Sequence, residues 1–191
     1  MRIYVVRHGQ DDDSVRGGWS DCGLTELGIE QANTLAKNLK LHQAEYNIGL
    51  IISSDLKRAA QTAEIVAASL DLAIETSEKF REVNNGNLAG MKNEIANKLY
   101  PNIYWKNLDW EQQYPNGESP KEFYERISKS WTNLIEKYKS YNKNILLVTH
   151  GGVINIIKTI IENKPYSNKN KYQGIDSCKI NYVFDISSVE S

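Results

Sequence analysis

Two of the chain's three histidines stand in matching surroundings. His8 and His150 each close a run of aliphatic residues, at 3–6 and 145–148, and each is followed by glycine. Arg7 precedes His8, and Arg58 falls in the first turn of a helical segment that follows a third apolar run at 50–52. Two imidazoles and two guanidinium groups at strand ends make a phosphate pocket, with fixed donors aimed at the equatorial oxygens. Gly9 and Gly151 let the backbone approach a ligand closely, and the helix that opens there offers free N–H groups to an anion. Taken singly the signals are weak. Arg-His-Gly arises by chance in about one chain of this length in forty, a strand-end histidine is more often a capped polar residue, and a lone Arg58 would be a solvated helix residue. Their arrival together, at equivalent places, carries the argument. His42, at the polar end of a helix, reads as surface.

The elements that must hold these groups alternate along the chain. Short, wholly apolar runs at 3–6, 50–52 and 145–148 read as buried strands, with a weaker one at 73–75 and a last one at 182–186. Leu24, Leu27, Ala32, Leu35, Ala36 and Leu39 recur at helical spacing behind Thr25, a natural N-cap. Ser53-Ser54-Asp55 is placed to cap a second helix, whose buried face is Leu56, Ala59 or Ala60, Ala63, Val66 and Leu70. A third helix spans 118–138 and a fourth follows His150. Residues 91–117, aromatic-rich and broken by Pro101 and Pro115, read as short helices and loops outside the core. Strands alternating with helices predict an α/β fold with a mainly parallel sheet and helices on both faces, ligands gathering beyond the carboxyl ends of the strands.

Composition bounds the function. The 191 residues suit a single domain, 40% are hydrophobic, and 23 basic against 24 acidic residues give a net charge of −1. That balance argues against nucleic-acid binding or adhesion to a membrane surface, and no apolar run is long enough to span a bilayer. Cys22 and Cys178 match no metal or redox spacing, so a cytoplasmic protein with free thiols is expected.

The blocks Val5-Val6-Arg7-His8-Gly9-Gln10, Gly18-Trp19-Ser20-Asp21, Leu24-Thr25-Glu26-Leu27-Gly28, Ser53 through Ala63, Arg81-Glu82, Gly117-Glu118-Ser119 and Val148-Thr149-His150-Gly151-Gly152 resemble the histidine phosphatase superfamily, the phosphoglycerate mutase-like group. The resemblance implies a three-layer sandwich with a small helical and loop cap, residues 91–117, over the site. It implies that His8 is a nucleophile forming phosphohistidine and that Glu82 protonates the leaving oxygen and then activates water. Arg7, Arg58, His150, Gly151 and Ser14 would bind phosphate, Ser14 standing where the family often carries asparagine. The arginines and an imidazolium would supply the positive charge, so no metal and no cofactor are expected. The function implied is a metal-independent phosphomonoesterase acting on a small phosphorylated metabolite, of broad specificity or resembling α-ribazole phosphatases, able to bind phosphate or other oxyanions, as monomer or homodimer. The alternatives are mutase-type phosphoryl transfer, against which the short chain speaks, and a non-catalytic phosphate- or protein-binding module.

Two features stay open at this level. Asp11-Asp12-Asp13 reads as a solvated loop, with the sharper alternative that one carboxylate faces the site entrance and selects substrates carrying a cation or hydrogen-bond donor. Tyr100, Tyr104, Trp105, Trp110 and Tyr114 read as packing within the cap, and Lys164, Lys169 and Lys171 as a solvated loop.

Overall fold

Both faces of the central strands are apolar, which is why they appear in the sequence as unbroken aliphatic runs. A computed structural model describes residues 1–170 and 175–186 and shows how that pattern is used. In strand β1 (Arg2–Arg7), Ile3 and Val5 pack on one side of the sheet, and Tyr4 and Val6 on the other. Strand β4 (Asn144–Thr149) splits the same way, Ile145 and Leu147 against Leu146 and Val148. These two strands pair in parallel from Ile3–Ile145 to Arg7–Thr149. With β2 (Ile48–Ser53), β3 (Ile74–Thr76) and β5 (Ile180–Asp185) they form one sheet in the order β3-β2-β4-β1-β5. Only β5 runs antiparallel, against β1.

Helices cover both faces. Helix α1 (Glu26–Leu41), followed by the single turn α2 (Gln43–Tyr46), packs with α3 (Lys57–Leu70) on the face of Tyr4 and Val6. Helices α5 (Pro120–Tyr138) and α6 (Gly151–Ile161) cover the other, where Phe123, Ile127 and Trp131 meet Ile3, Val5 and Leu147. Between α3 and α5 lie β3, the short α4 (Asn93–Leu99) and three 3-10 turns, Glu78–Phe80, Gly86–Leu88 and Trp105–Asn107.

One expected cap forms, one fails, and Ser119 supplies a further one. Thr25 accepts from the Gly28 N–H, and Ser119 forms a reciprocal capping box with Glu122. The expected cap of α3 fails: the helix starts after Leu56, with no side-chain cap. Asp55 turns to Arg81, which donates from Nε and Nη2 at 2.7 and 2.5 Å. Two charge-assisted bonds outweigh one to a backbone N–H. Residues 91–117 are also not wholly outside the core. Leu108 and Tyr114 are buried with Leu88, and burial pushes the Tyr114 hydroxyl up to about 12.

One contact fixes the loop after β1. A Cβ on Gly9 would lie 2.5 Å from the Gly28 carbonyl oxygen, and one on Gly28 would lie 2.2 Å from that of Gln10. Neither position has room for a side chain, so the loop lies flat on the first turn of α1.

Candidate active site

The sheet brings three strand ends together. His8 follows β1 and is tied to β4 by its N–H on the Thr149 carbonyl (2.9 Å). His150 follows β4, and Ser54, after β2, donates its N–H to the Val148 carbonyl (3.0 Å). The His8 and His150 rings lie 5.0 Å apart and are almost wholly buried.

Hydrogen bonding fixes the His8 tautomer. Nδ1 lies 2.7 Å from the Gly9 carbonyl oxygen, which can only accept, so Nδ1 carries the hydrogen. Nε2 carries the lone pair, which accepts from Arg58 Nε at 3.2 Å, and His8 lines the cavity described below. Burial, then Arg58, depresses the His8 pKa well below the ordinary histidine range, so the ring is neutral near pH 7.

Arg58 is 2% exposed, not the solvated residue that a lone helix arginine suggests. Its Nη1 donates to Ser20, carbonyl and hydroxyl (both 3.3 Å), and Nη2 to the Gly18 carbonyl (2.8 Å). Asp11 Oδ2 lies 3.3 Å from its Nε. Burial lowers the Arg58 pKa and raises that of Asp11, so the pair is held against the desolvation of both partners.

His150 Nε2 lies 2.8 Å from the Ser54 hydroxyl. Burial, then His8 and Arg58, depresses its pKa well below the usual range, so the expected imidazolium is a neutral imidazole and the standing positive charge rests on the arginines. Two buried atoms, His150 Nδ1 and Arg7 Nε, have no partner among the described residues. A Cβ on Gly151, the first residue of α6, would have only Arg7 Nε near it, at 3.9 Å, which leaves its backbone open toward the arginine.

Glu82 reaches the site from the loop after the 3-10 turn Glu78–Phe80. Its carboxylate accepts the N–H groups of Val83 (3.1 Å) and of Gly152 at the α6 N-terminus (3.0 Å). Arg7, His8, Asp11, Arg58 and Glu82 line one cavity of about 330 Å³. Ser14 does not join them. It is exposed, and its N–H turns back to Asp12 Oδ1 (2.9 Å). A second cavity of about 430 Å³ shares Arg16, Gly17 and Gly18 with the first and is walled by Tyr104, Trp105 and Tyr114. Trp105 stacks on Tyr114 and meets Phe123 edge-on, so these aromatics both pack on one another and line a pocket. Lys169 lines it too and pairs with Asp109, Lys164 pairs with Glu162, and Lys171 lies outside the described residues. His42 is exposed at the end of α1.

Sequence reasoning gave no role to Arg126, although its partner Glu118 stands in a recognised block. Arg126 holds both Glu118 oxygens (2.7 and 2.9 Å) and donates to the carbonyls of Lys79, Arg81 and Glu82. It thereby clamps the loop that presents Glu82. Replacement by methionine should cost about 2–4 kcal/mol of stability, read as a lower denaturant midpoint, and should lower activity with it. Unchanged stability would mean the clamp carries no energy.

Among the described residues no group of three or more His, Cys, Asp or Glu side chains is arranged to hold a metal ion, and no helix is long and apolar enough to cross a membrane. Sheet, helices and a histidine-centred cavity lined by arginines define an α/β protein with an anion pocket at the carboxyl ends of its strands. A sequence profile of the histidine phosphatase superfamily (branch 1) matches residues 3–187, and the chain belongs to that superfamily. It is 34% identical over 159 residues to phosphoglycerate mutase-like protein 4 of Arabidopsis thaliana, covering 80% of this chain and 67% of that one. Its fold is similar to the crystal structure of the α-ribazole phosphatase from Shigella flexneri, with a TM-score of 0.74 and 29% identity over 86% of this chain and 81% of that one. A mycobacterial glucosyl-3-phosphoglycerate phosphatase in complex with inorganic phosphate gives a TM-score of 0.70 and 26% identity, covering 88% and 82%.

Proposed function

We propose that the protein is a metal-independent phosphomonoesterase that works through a phosphohistidine on His8. The observation that carries this reading is the His8 ring itself, neutral, with hydrogen on Nδ1 and a lone pair on Nε2 beside Arg58. Nε2 attacks phosphorus in line. The ester P–O bond breaks, and its electron pair leaves on the substrate oxygen, which takes a proton from Glu82 acting as general acid. Water then attacks the phosphohistidine, Glu82 takes its proton, and the P–N bond breaks to release phosphate and neutral His8. Arg7 and Arg58 hold the phosphoryl oxygens through both steps, and the unpartnered His150 Nδ1 and Arg7 Nε gain a partner when an oxyanion enters.

The leaving group would occupy the second cavity, with residues 91–117 as its cap. Tyr104, Trp105 and Tyr114 offer aromatic surface there, and Trp105 Nε1 and Arg16 Nε are buried donors without partners among the described residues. That suits a small metabolite with a ring and acceptor oxygens, nucleoside- or sugar-like, in keeping with the named activities of the α-ribazole and glucosyl-3-phosphoglycerate phosphatases.

The role of Glu82 has its own test. Glu82→Gln should lower kcat on an alkyl phosphate by about 10²–10³-fold. With p-nitrophenyl phosphate, whose leaving group needs no proton, the loss in the first step should be far smaller and a burst of nitrophenolate should precede slow dephosphorylation. Equal losses on both esters with no burst would remove Glu82 from the proton-transfer role.

A further inference from the structure

The three consecutive aspartates separate by what they touch. Asp12 turns back on the Ser14 N–H, and Asp13 is exposed. Asp11 points inward, 19% exposed, with its carboxylate against Arg58. Its backbone leaves little choice. Asp11 bridges to Leu24, the Thr25 N–H donates to the Gln10 carbonyl (3.0 Å), and the Gly9–Gly28 contact pins the preceding residues. The solvated-loop reading holds for its neighbour Asp13 and fails for Asp11.

Arg58 Nε has a single hydrogen and faces two acceptors, His8 Nε2 at 3.2 Å and Asp11 Oδ2 at 3.3 Å. A phosphoryl group approaching His8 Nε2 enters the same small space. The Asp11 carboxylate and a dianion would then share one guanidinium, and two anions at that distance cannot both stay ionised without a large electrostatic cost.

On the phosphoryl-site reading given above, we propose that Asp11 is a positioning residue for the reaction: a resident counter-ion of Arg58 that takes up one proton from solvent as an oxyanion enters, and then donates its O–H toward that oxyanion. In the empty cavity the carboxylate satisfies a buried cation. In the occupied one the protonated acid supplies the donor that Ser14, turned outward, does not. The charged and titratable groups around it are Arg58 from α3, Arg7 and His8 from the end of β1, Glu82 from its loop, and Asp12, Asp13 and Arg16 from its own segment. Burial already raises the Asp11 carboxyl, against the pull of Arg58 and Arg7. A dianion raises it further, so the bound state holds the extra proton over a wider pH range than the free state. Oxyanion affinity therefore rises as pH falls, until Asp11 is protonated in the free protein as well.

Tungstate, which at micromolar concentration remains a monomeric dianion between pH 5.5 and 8, separates this effect from titration of the ligand. Its binding is to be measured calorimetrically across that range, in buffers of different ionisation enthalpy, for the wild type and for Asp11→Asn. The wild type should lose affinity by up to about tenfold per pH unit and take up a proton on binding. The variant, whose amide donates at every pH, should take up about one proton fewer and bind at least about tenfold tighter than wild type at pH 8. Protonation of His8 or His150 is common to both proteins and cancels in the comparison. A merely structural role would weaken the variant at all pH values and leave the slope unchanged, which would overturn the proposal. If Asp11→Asn does not fold, Asp11→Ser replaces it in the same comparison, and binding by the wild type at pH 7 with no proton uptake also overturns the proposal. Failure of both proteins to bind tungstate would instead overturn the phosphoryl-site reading, and this inference with it.

Discussion

Replacing His8 by alanine is expected to lower kcat on p-nitrophenyl phosphate by about 10⁴-fold or more, in EDTA at any pH from 5 to 8. No other group in the cavity combines a lone pair with this placement. His150 is also neutral, but it is not among the residues that line that cavity. The fold should survive, because β1 stays paired through Ile3, Val5 and Val6, and the only side-chain bonds lost are those to Gly9 and Arg58. Oxyanion binding should survive too, since Arg7, Arg58 and His150 remain. Turnover in the His8→Ala protein comparable to wild type would remove the phosphohistidine from the mechanism. Trapping labelled phosphate on the wild type after an alkaline quench, in which a phosphohistidine P–N bond survives, would give the complementary positive result.

Arg58→Met should show the second-largest effect, a fall of about 10²–10³-fold in kcat/KM. Methionine fills much of the same volume without the charge, so the loss reports missing stabilisation of the transferring phosphoryl group. Stability should drop as well, by about 2–3 kcal/mol, because Asp11 keeps a largely buried carboxylate with its cation gone. The carbonyls of Gly18 and Ser20 lose their donor at the same time. Adding Asp11→Asn to Arg58→Met should restore part of the stability and none of the activity. Strict additivity of the two stability changes would show that the pair is not coupled.

The parts of the fold that were legible in the sequence are those set by local physics. The strands at 3–6 and 145–148 declare themselves because both faces are apolar, and Thr25 acts as a cap because its oxygen stands where a helix begins. His8, Arg58 and His150 could be brought together on paper because parallel strands place their carboxyl ends side by side. What escaped was direction. Asp55 has the right chemistry for a cap, but Arg81, 26 residues away, takes its carboxylate. Asp11, Asp12 and Asp13 are identical in type, and only a bridge to Leu24 and a contact between two glycines decide which one turns inward. Ser14 has the hydroxyl a phosphate site can use but lies on the outward side of that same loop. Leu108 and Tyr114 sit between prolines, where no periodicity marks a buried face.

The pairing of β1 with β4 also has a consequence for the order in which the protein comes into being. Strand β1 lies between β4 and β5, both contributed by residues beyond 143. Ile3 must wait for Ile145, and His8 gains its backbone tie to Thr149 only when that residue has left the ribosome. Until then an aliphatic strand has no neighbour on either edge, a state that invites association with other chains or capture by a chaperone. The same long closure predicts slow folding for a protein of this size. It also means that the two histidines come into register only with the final assembly of the sheet, so a nascent or truncated chain carries the His8 segment without an anion pocket.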